Sequence, residues 1–143
     1  MIRHAQKLSL LIFSLVLVSC SKYEGTGGKG SITGKINIDQ KLYLNGVLTQ
    51  SVSITGAKED VYIVYGDDDL IFDDKTECNY DGTFKFDYLQ PGTYTIFAYS
   101  EIFHAGPNLT NNDDDYYTNE VVKQTVELAK NSSSDIGTIT LVK

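Results

Sequence analysis

The sequence predicts an all-β protein: a single β-sandwich of about seven strands behind a cleaved N-terminal signal peptide. Three observations carry this reading. From Ser31 onward, short stretches place apolar residues at every second position, the period of a half-buried strand. Turn-forming pairs such as Asp81-Gly82 and Pro91-Gly92 separate those stretches. No segment after the leader shows the 3.6-residue period of an amphipathic helix. The 143 residues fit one domain. Roughly 110 ordered residues can bury a core without disulfides.

Residues 1–19 form the leader. Arg3 and Lys7 precede an apolar run over 8–18, and a small residue, Ser19, stands before Cys20. A charged start, a short apolar centre and a small residue at the cut describe a secretory signal. The run is shorter than the about 20 residues that a membrane-spanning helix needs. Residues 20–30 are rich in glycine and are expected to be a flexible tether. Residues 31–143 are the domain.

Within the domain, Ile32, Ile36 and Ile38 share one parity with Gly34, which predicts a half-buried strand. Val52 and Ile54 make a shorter one ending at Gly56. Val61, Ile63 and Tyr65 alternate with Tyr62 and Val64, so this strand is expected to be central and apolar on both faces. Residues 77–80 and 83–87 flank Asp81-Gly82 and read as a hairpin, because Gly supplies the positive φ of a tight turn. Tyr94, Ile96 and Ala98 alternate in the next strand, Val122, Val126 and Leu128 suggest another, and Ile139 and Leu141 close the domain. Two acidic insertions interrupt the pattern, at 66–75 and 101–120. Both are expected as loops, placed here at one end of the sandwich.

The charge balance excludes one class of partner. Loss of the leader leaves 10 basic against 19 acidic residues, and no arginine, since Arg3 is the sole one. Nucleic-acid binding needs clustered Lys and Arg against the phosphates. An acidic surface also repels anionic membranes and polysaccharides.

Two resemblances add to this. Leu17-Val18-Ser19-Cys20 resembles the lipobox of bacterial lipoproteins. The resemblance implies that Cys20 becomes the first residue and carries palmitate-type acyl chains, anchoring the chain in the cell envelope at the outer membrane. The Ser-Lys-x-Glu stretch that follows is similar to the acidic signals of surface lipoproteins of the Bacteroidetes type. With Cys20 lipidated, Cys78 has no disulfide partner and is expected to be a small buried hydrophobe. The second resemblance lies in residues 81–96, where Gly82, Phe84, Phe86, Leu89, Pro91, Gly92 and Tyr94 stand in order. This resembles the central motif of carboxypeptidase regulatory-like domains and implies a transthyretin-like, Ig-like sandwich. In that reading Phe84 and Phe86 pack inward, Leu89 plugs the sandwich end, Pro91-Gly92 reverses the chain and Tyr94 starts the partner strand. All these roles are structural and imply no chemistry.

Candidate sites are few. His104 is the only histidine after the leader, and no nucleophile motif accompanies it. It reads as a solvated loop residue, so no catalytic residue and no enzyme activity is expected. The acidic runs are candidate calcium ligands: Asp67, Asp68, Asp69, Asp73 and Asp74 in the first insertion, Asp113, Asp114 and Asp115 in the second. Neither follows a spaced calcium-loop pattern, and adjacent acids also make solvated loop tips. Tyr116-Tyr117 could stack on a sugar, but neighbours in a strand point to opposite faces. The sequence therefore predicts a lipid-anchored, non-enzymatic module that contacts an envelope protein or glycan through end loops and needs no cofactor. The alternatives are a spacer without a discrete ligand and a calcium-dependent binder.

Overall fold

The structure, a computed structural model, describes residues 24–66, 71–108, 110 and 113–143. Eight strands follow in order: β1 (Thr26–Leu44), β2 (Val47–Thr55), β3 (Asp60–Tyr65), β4 (Asp74–Glu77), β5 (Thr83–Leu89), β6 (Gly92–His104), β7 (Tyr116–Leu128) and β8 (Ser133–Val142). They form two four-stranded sheets. In the first, β1 pairs antiparallel with β5 and β2 and parallel with β8. In the second, the order is β4-β3-β6-β7, antiparallel throughout. The all-β sandwich is as expected, with eight strands rather than about seven, and no helix occurs among the described residues.

The core lies between the sheets and follows the predicted parities. Ile32, Ile36 and Ile38 of β1, Phe84 and Phe86 of β5 and Ile139 and Leu141 of β8 meet Val61, Ile63, Tyr94, Ile96 and Ala98 from the other sheet. Leu89 and Leu128 join them. Gly34 belongs to the inward series for a packing reason. A Cβ there would stand 2.6 Å from Cζ of Phe84, its cross-strand partner, so the ring occupies the space the glycine leaves. β3 is central, between β4 and β6, as its two-sided apolar pattern predicts.

β1 organises the first sheet. Its N-terminal half pairs with β5 and its C-terminal half with β2, along the same edge. The edge changes hands at Ile36, whose N–H donates to the Gly82 carbonyl at 2.8 Å and whose carbonyl accepts from Gly56 N–H at 2.9 Å. Beyond this point β1 and β2 run on as a hairpin. Asn45 and Gly46 turn it with φ of 51° and 74°. Two positive φ values in a two-residue loop make the turn whose twist matches that of paired strands.

Three expectations need correction. The glycine-rich stretch is not a tether from Thr26 on, because β1 starts there and Thr26 and Gly30 both register against Leu89. Glycine is what permits this, since a Cβ on Gly28 would collide with the Leu89 carbonyl. Asp81-Gly82 does not close a β4–β5 hairpin. β4 pairs with β3 and β5 with β1, so the turn carries the chain from one sheet to the other. Finally, Val52 and Ile54 lie on the strand expected, but they stay 42% and 43% exposed instead of half-buried.

Cys78 follows β4 and is buried in the core, 3% exposed. Burial pushes its thiol up to about 11 from 9.0, helped by the negative charges of Glu59 and Asp60. The fold therefore favours the protonated thiol. Its contribution is whole below pH 9 and is lost as pH rises through about 11. A rise of this size corresponds to about 3 kcal/mol. Thermal melts between pH 8 and pH 11 are expected to fall more steeply for the wild-type chain than for Cys78→Ala. Parallel curves would show that the thiol does not set this pH dependence.

Candidate functional site

The outer face of the β4-β3-β6-β7 sheet carries an aromatic patch. On β3, Val61 and Ile63 point inward, so Tyr62 between them points out. Its register partner on β6 is Phe97, and the two rings stack at 5.0 Å and 15°. Tyr99, two residues along the same face, stands edge-on to Tyr62 at 5.5 Å and to Phe97 at 5.6 Å. Phe72, just before β4, tilts onto Tyr62 at 4.8 Å. Phe97 is nearly covered at 9% exposure, whereas Tyr99 and Phe72 present 39% and 44% of their surface to solvent. Edge-to-face and offset contacts of this kind hold rings rigidly.

A cavity of about 400 Å³ adjoins the patch, lined by Lys58, Glu59, Asp60, Tyr62, Glu77, Tyr99 and Lys143. Its charges are paired: Lys75 with Asp60 at 2.8 Å, Lys143 with Glu59 at 2.8 Å, and Lys58 with Glu77 at 3.4 Å. The Lys75–Asp60 and Lys58–Glu77 pairs are exposed and add little stability, whereas Lys143–Glu59 is part-buried. The Tyr62 hydroxyl donates to Asp60 Oδ2 at 3.4 Å. Burial, and then the Asp60 charge, holds the Tyr62 phenol above its ordinary value, so it stays protonated and a donor at neutral pH. The arrangement offers apolar ring faces beside carboxylates, ammonium groups and a hydroxyl. Such a surface suits a ligand with one apolar face and a polar rim.

A larger cavity, about 560 Å³, lies on the outer face of the other sheet beside Thr33, Lys35, Thr83, Lys85 and Asp135. Its one aromatic, Phe84, is 2% exposed and points into the core, so no ring face is offered there.

The described acidic residues singled out in the sequence bond mainly to nearby backbone N–H groups. Asp67, Asp68 and Asp69 lie outside the described residues, as does Cys20. Asp73 accepts the Tyr65 N–H at 2.7 Å, and Asp74 the Lys75 N–H at 2.8 Å. Asp114 accepts the Asn108 N–H at 3.0 Å and Asp115 the Gly106 N–H at 2.9 Å, which closes the loop after β6; Asp113 is exposed. The two insertions stand at opposite ends, not at one. Gly66 bonds Thr93 at the start of β6, and the second insertion follows His104 at its other end, about 36 Å along the strand. Among the described residues, no three His, Cys, Asp or Glu side chains group to hold a metal.

His104 is the last residue of β6, not a loop residue. Its Nε2 pairs with Thr118 Oγ1 at 2.8 Å and its ring stacks on Tyr116 at 4.7 Å. Tyr117 packs instead against Phe103 at 5.4 Å, which itself stacks on Tyr43 at 3.9 Å. Tyr116 and Tyr117 thus go separate ways, as neighbouring strand residues must. Phe84, Phe86, Leu89 and Tyr94 are buried, Gly82 has φ of +81°, and the chain reverses at Pro91-Gly92 into β6.

Tyr62, Phe97 and Tyr99 as a set were missed in the sequence, which reads their strands as apolar on both faces. The available signal was a tyrosine at the outward parity of each of two strands.

No protein-family model matches the chain. No curated protein matches it either. Among solved structures, the fold is similar to that of a protein from Pseudomonas aeruginosa proposed to bind carbohydrate. The match has 14% identity and a TM-score of 0.50, and covers 84% of this chain and 92% of that one. At this identity the likeness speaks for the fold alone.

Proposed function

We propose that the chain is a lipid-anchored, non-enzymatic module of the bacterial cell envelope that contacts a glycan. The contact runs through the outer face of the β4-β3-β6-β7 sheet rather than through end loops. The observation that carries this is the aromatic patch of Tyr62, Phe97, Tyr99 and Phe72 beside a cavity with fixed charges. A pyranose ring has a face of C–H groups that packs on an aromatic ring, and hydroxyls around its rim that bond to carboxylates, ammonium groups and phenols. The fold shared with a protein proposed to bind carbohydrate is consistent with this reading. So is the resemblance to carboxypeptidase regulatory-like domains, which serve as accessory modules.

The anchor rests on the leader and on Leu17-Val18-Ser19-Cys20. Several acyl chains give stable attachment where one does not. The described chain begins beside Tyr94, where Gly25 N–H donates to the tyrosine hydroxyl. A lipid on Cys20 would lie five residues before this contact. Membrane fractionation of the Cys20→Ser chain, with palmitate labelling, tests the anchor; label retained on the variant would refute it.

Binding is tested by calorimetry against a panel of neutral and uronic-acid oligosaccharides. Tyr62→Ala combined with Tyr99→Ala is expected to weaken binding at least tenfold, at roughly 1 kcal/mol for each ring contact. Tyr116→Ala with Tyr117→Ala is expected to leave it unchanged. The reverse pattern would return the contact to the end loops. Failure of the whole panel to bind would favour the spacer reading.

A further inference from the structure

Each sheet edge except one is guarded among the described residues. β4 carries Asp74, Lys75 and Glu77; β7 carries Glu120, Lys123 and Glu127; the outer edge of β5 carries Lys85 and Asp87. β8 carries Asp135, breaks register against β1 near Gly137, and ties back to the other sheet through Val142 N–H to Ser100 Oγ at 3.0 Å. Charge, short length and register breaks are how sheet edges avoid pairing with other chains. β2 has none of these over its central stretch. Its nine residues, Val47–Thr55, hold no charge, no proline and no glycine, and all are exposed. Among the described residues it pairs with β1 alone, and its other edge is a row of N–H and C=O groups that no described strand covers.

We propose that this edge is a self-pairing surface, joining β2 of two copies antiparallel about Ser53. Two features select a second copy. The first is pattern. With Ser53 on the two-fold axis, Val52 faces Ile54 of the other copy and Ser51 faces Thr55 of the other copy. Apolar residues then meet apolar residues on one face, and hydroxyls meet hydroxyls on the other, which are favourable cross-strand pairs. A two-fold contact must be self-complementary in this way. Val52 and Ile54 lie on the core side, opposite Gln40 and Ile38, so the pairing extends the apolar stripe across both molecules. The second is charge. The chain is acidic, with a formal net charge of −7, and two copies repel across most surfaces. The β2 edge brings no charge against its own copy. The irregularity at Leu42/Tyr43 lies at the far end of the hairpin, outside the paired stretch.

The test uses the full chain in cell membranes. At the axis, the two Cα atoms of an antiparallel pair stand about 4.5–5.5 Å apart, within disulfide reach. Ser53→Cys, oxidised with copper phenanthroline, is expected to give a band of twice the mass on a non-reducing gel. Ser51→Cys, on the same strand, is expected to give at least tenfold less, because its copies lie four residues out of register. Cys78 is buried in both chains. Sedimentation of the detergent-solubilised wild-type chain is expected to show a dimer, and Ser53→Lys a monomer. Four results overturn the proposal: a wild-type monomer, equal cross-linking at both positions, a link from position 53 only to a different protein, or a dimer that Ser53→Lys leaves intact.

Discussion

Gly82→Val is expected to lower stability by more than about 3 kcal/mol, enough to unfold a marginal domain. Two costs combine. Gly82 has φ of +81°, a conformation that an L side chain adopts only with strain of about 1–2 kcal/mol. A Cβ would also stand 2.5 Å from the Ile36 carbonyl oxygen. That oxygen accepts the Gly56 N–H, while Gly82's own carbonyl accepts the Ile36 N–H. The collision therefore falls where β1 passes from β5 to β2, and relieving it breaks one strand junction or the other. Gly137 supplies the control. Its φ is +76°, yet no atom lies within 4 Å of its Cβ position. Urea unfolding is expected to show Gly137→Ala losing only the strain, and Gly82→Ala losing clearly more. Equal losses would mean that the contact with Ile36 contributes nothing.

Tyr94→Ala is expected to cost about 3–5 kcal/mol, the range for truncating a large buried aromatic. The ring is fully buried, with Tyr65 edge-on at 5.8 Å. The hydroxyl adds a separate share. It donates to the Gln90 carbonyl at 2.7 Å and accepts the Gly25 N–H at 3.0 Å. A tyrosine at the start of a strand, bonded to backbone a few residues upstream, is a recurrent corner device of sandwiches. Here it also holds the first described residues against the β5–β6 corner. Tyr94→Phe keeps the packing and strands both backbone groups, so about 1–3 kcal/mol is expected. Hydrogen exchange separates the two effects: Tyr94→Phe should accelerate exchange at Gly25 and the start of β1 while the centre of β6 keeps its protection. Uniform loss of protection would assign the hydroxyl a global role instead.

The sequence was most legible where the physics is local. Period-two burial placed Ile32, Phe84, Tyr94 and Ile139 inside, and a positive φ at Gly82 follows from its turn. Pairing is not local, and the pattern of residues does not specify it. Alternation on either side of Asp81-Gly82 suits a hairpin, but it does not say that β4 finds β3 and β5 finds β1. The separation of the acidic insertions is likewise set by the length of β6. Asn45-Gly46 is a local signal of the same kind, and it turns the β1–β2 hairpin. The aromatic patch was hidden for another reason. Tyr62 and Phe97 make their strands apolar on both faces, which reads as burial from two sides. Whether a third layer covers the outer face depends on chain that pattern alone does not place.

The length of β1 has a mechanical consequence. A pull on the residues before Thr26 enters the fold along the axis of this strand, which is bonded to β5 between Thr26 and Lys35 on one edge and to β8 over Ser31–Asp39 on the other. The hydrogen bonds lie across the direction of force. Under such a pull they slide together instead of peeling one after another, so this end of the chain resists being stripped from the sheet.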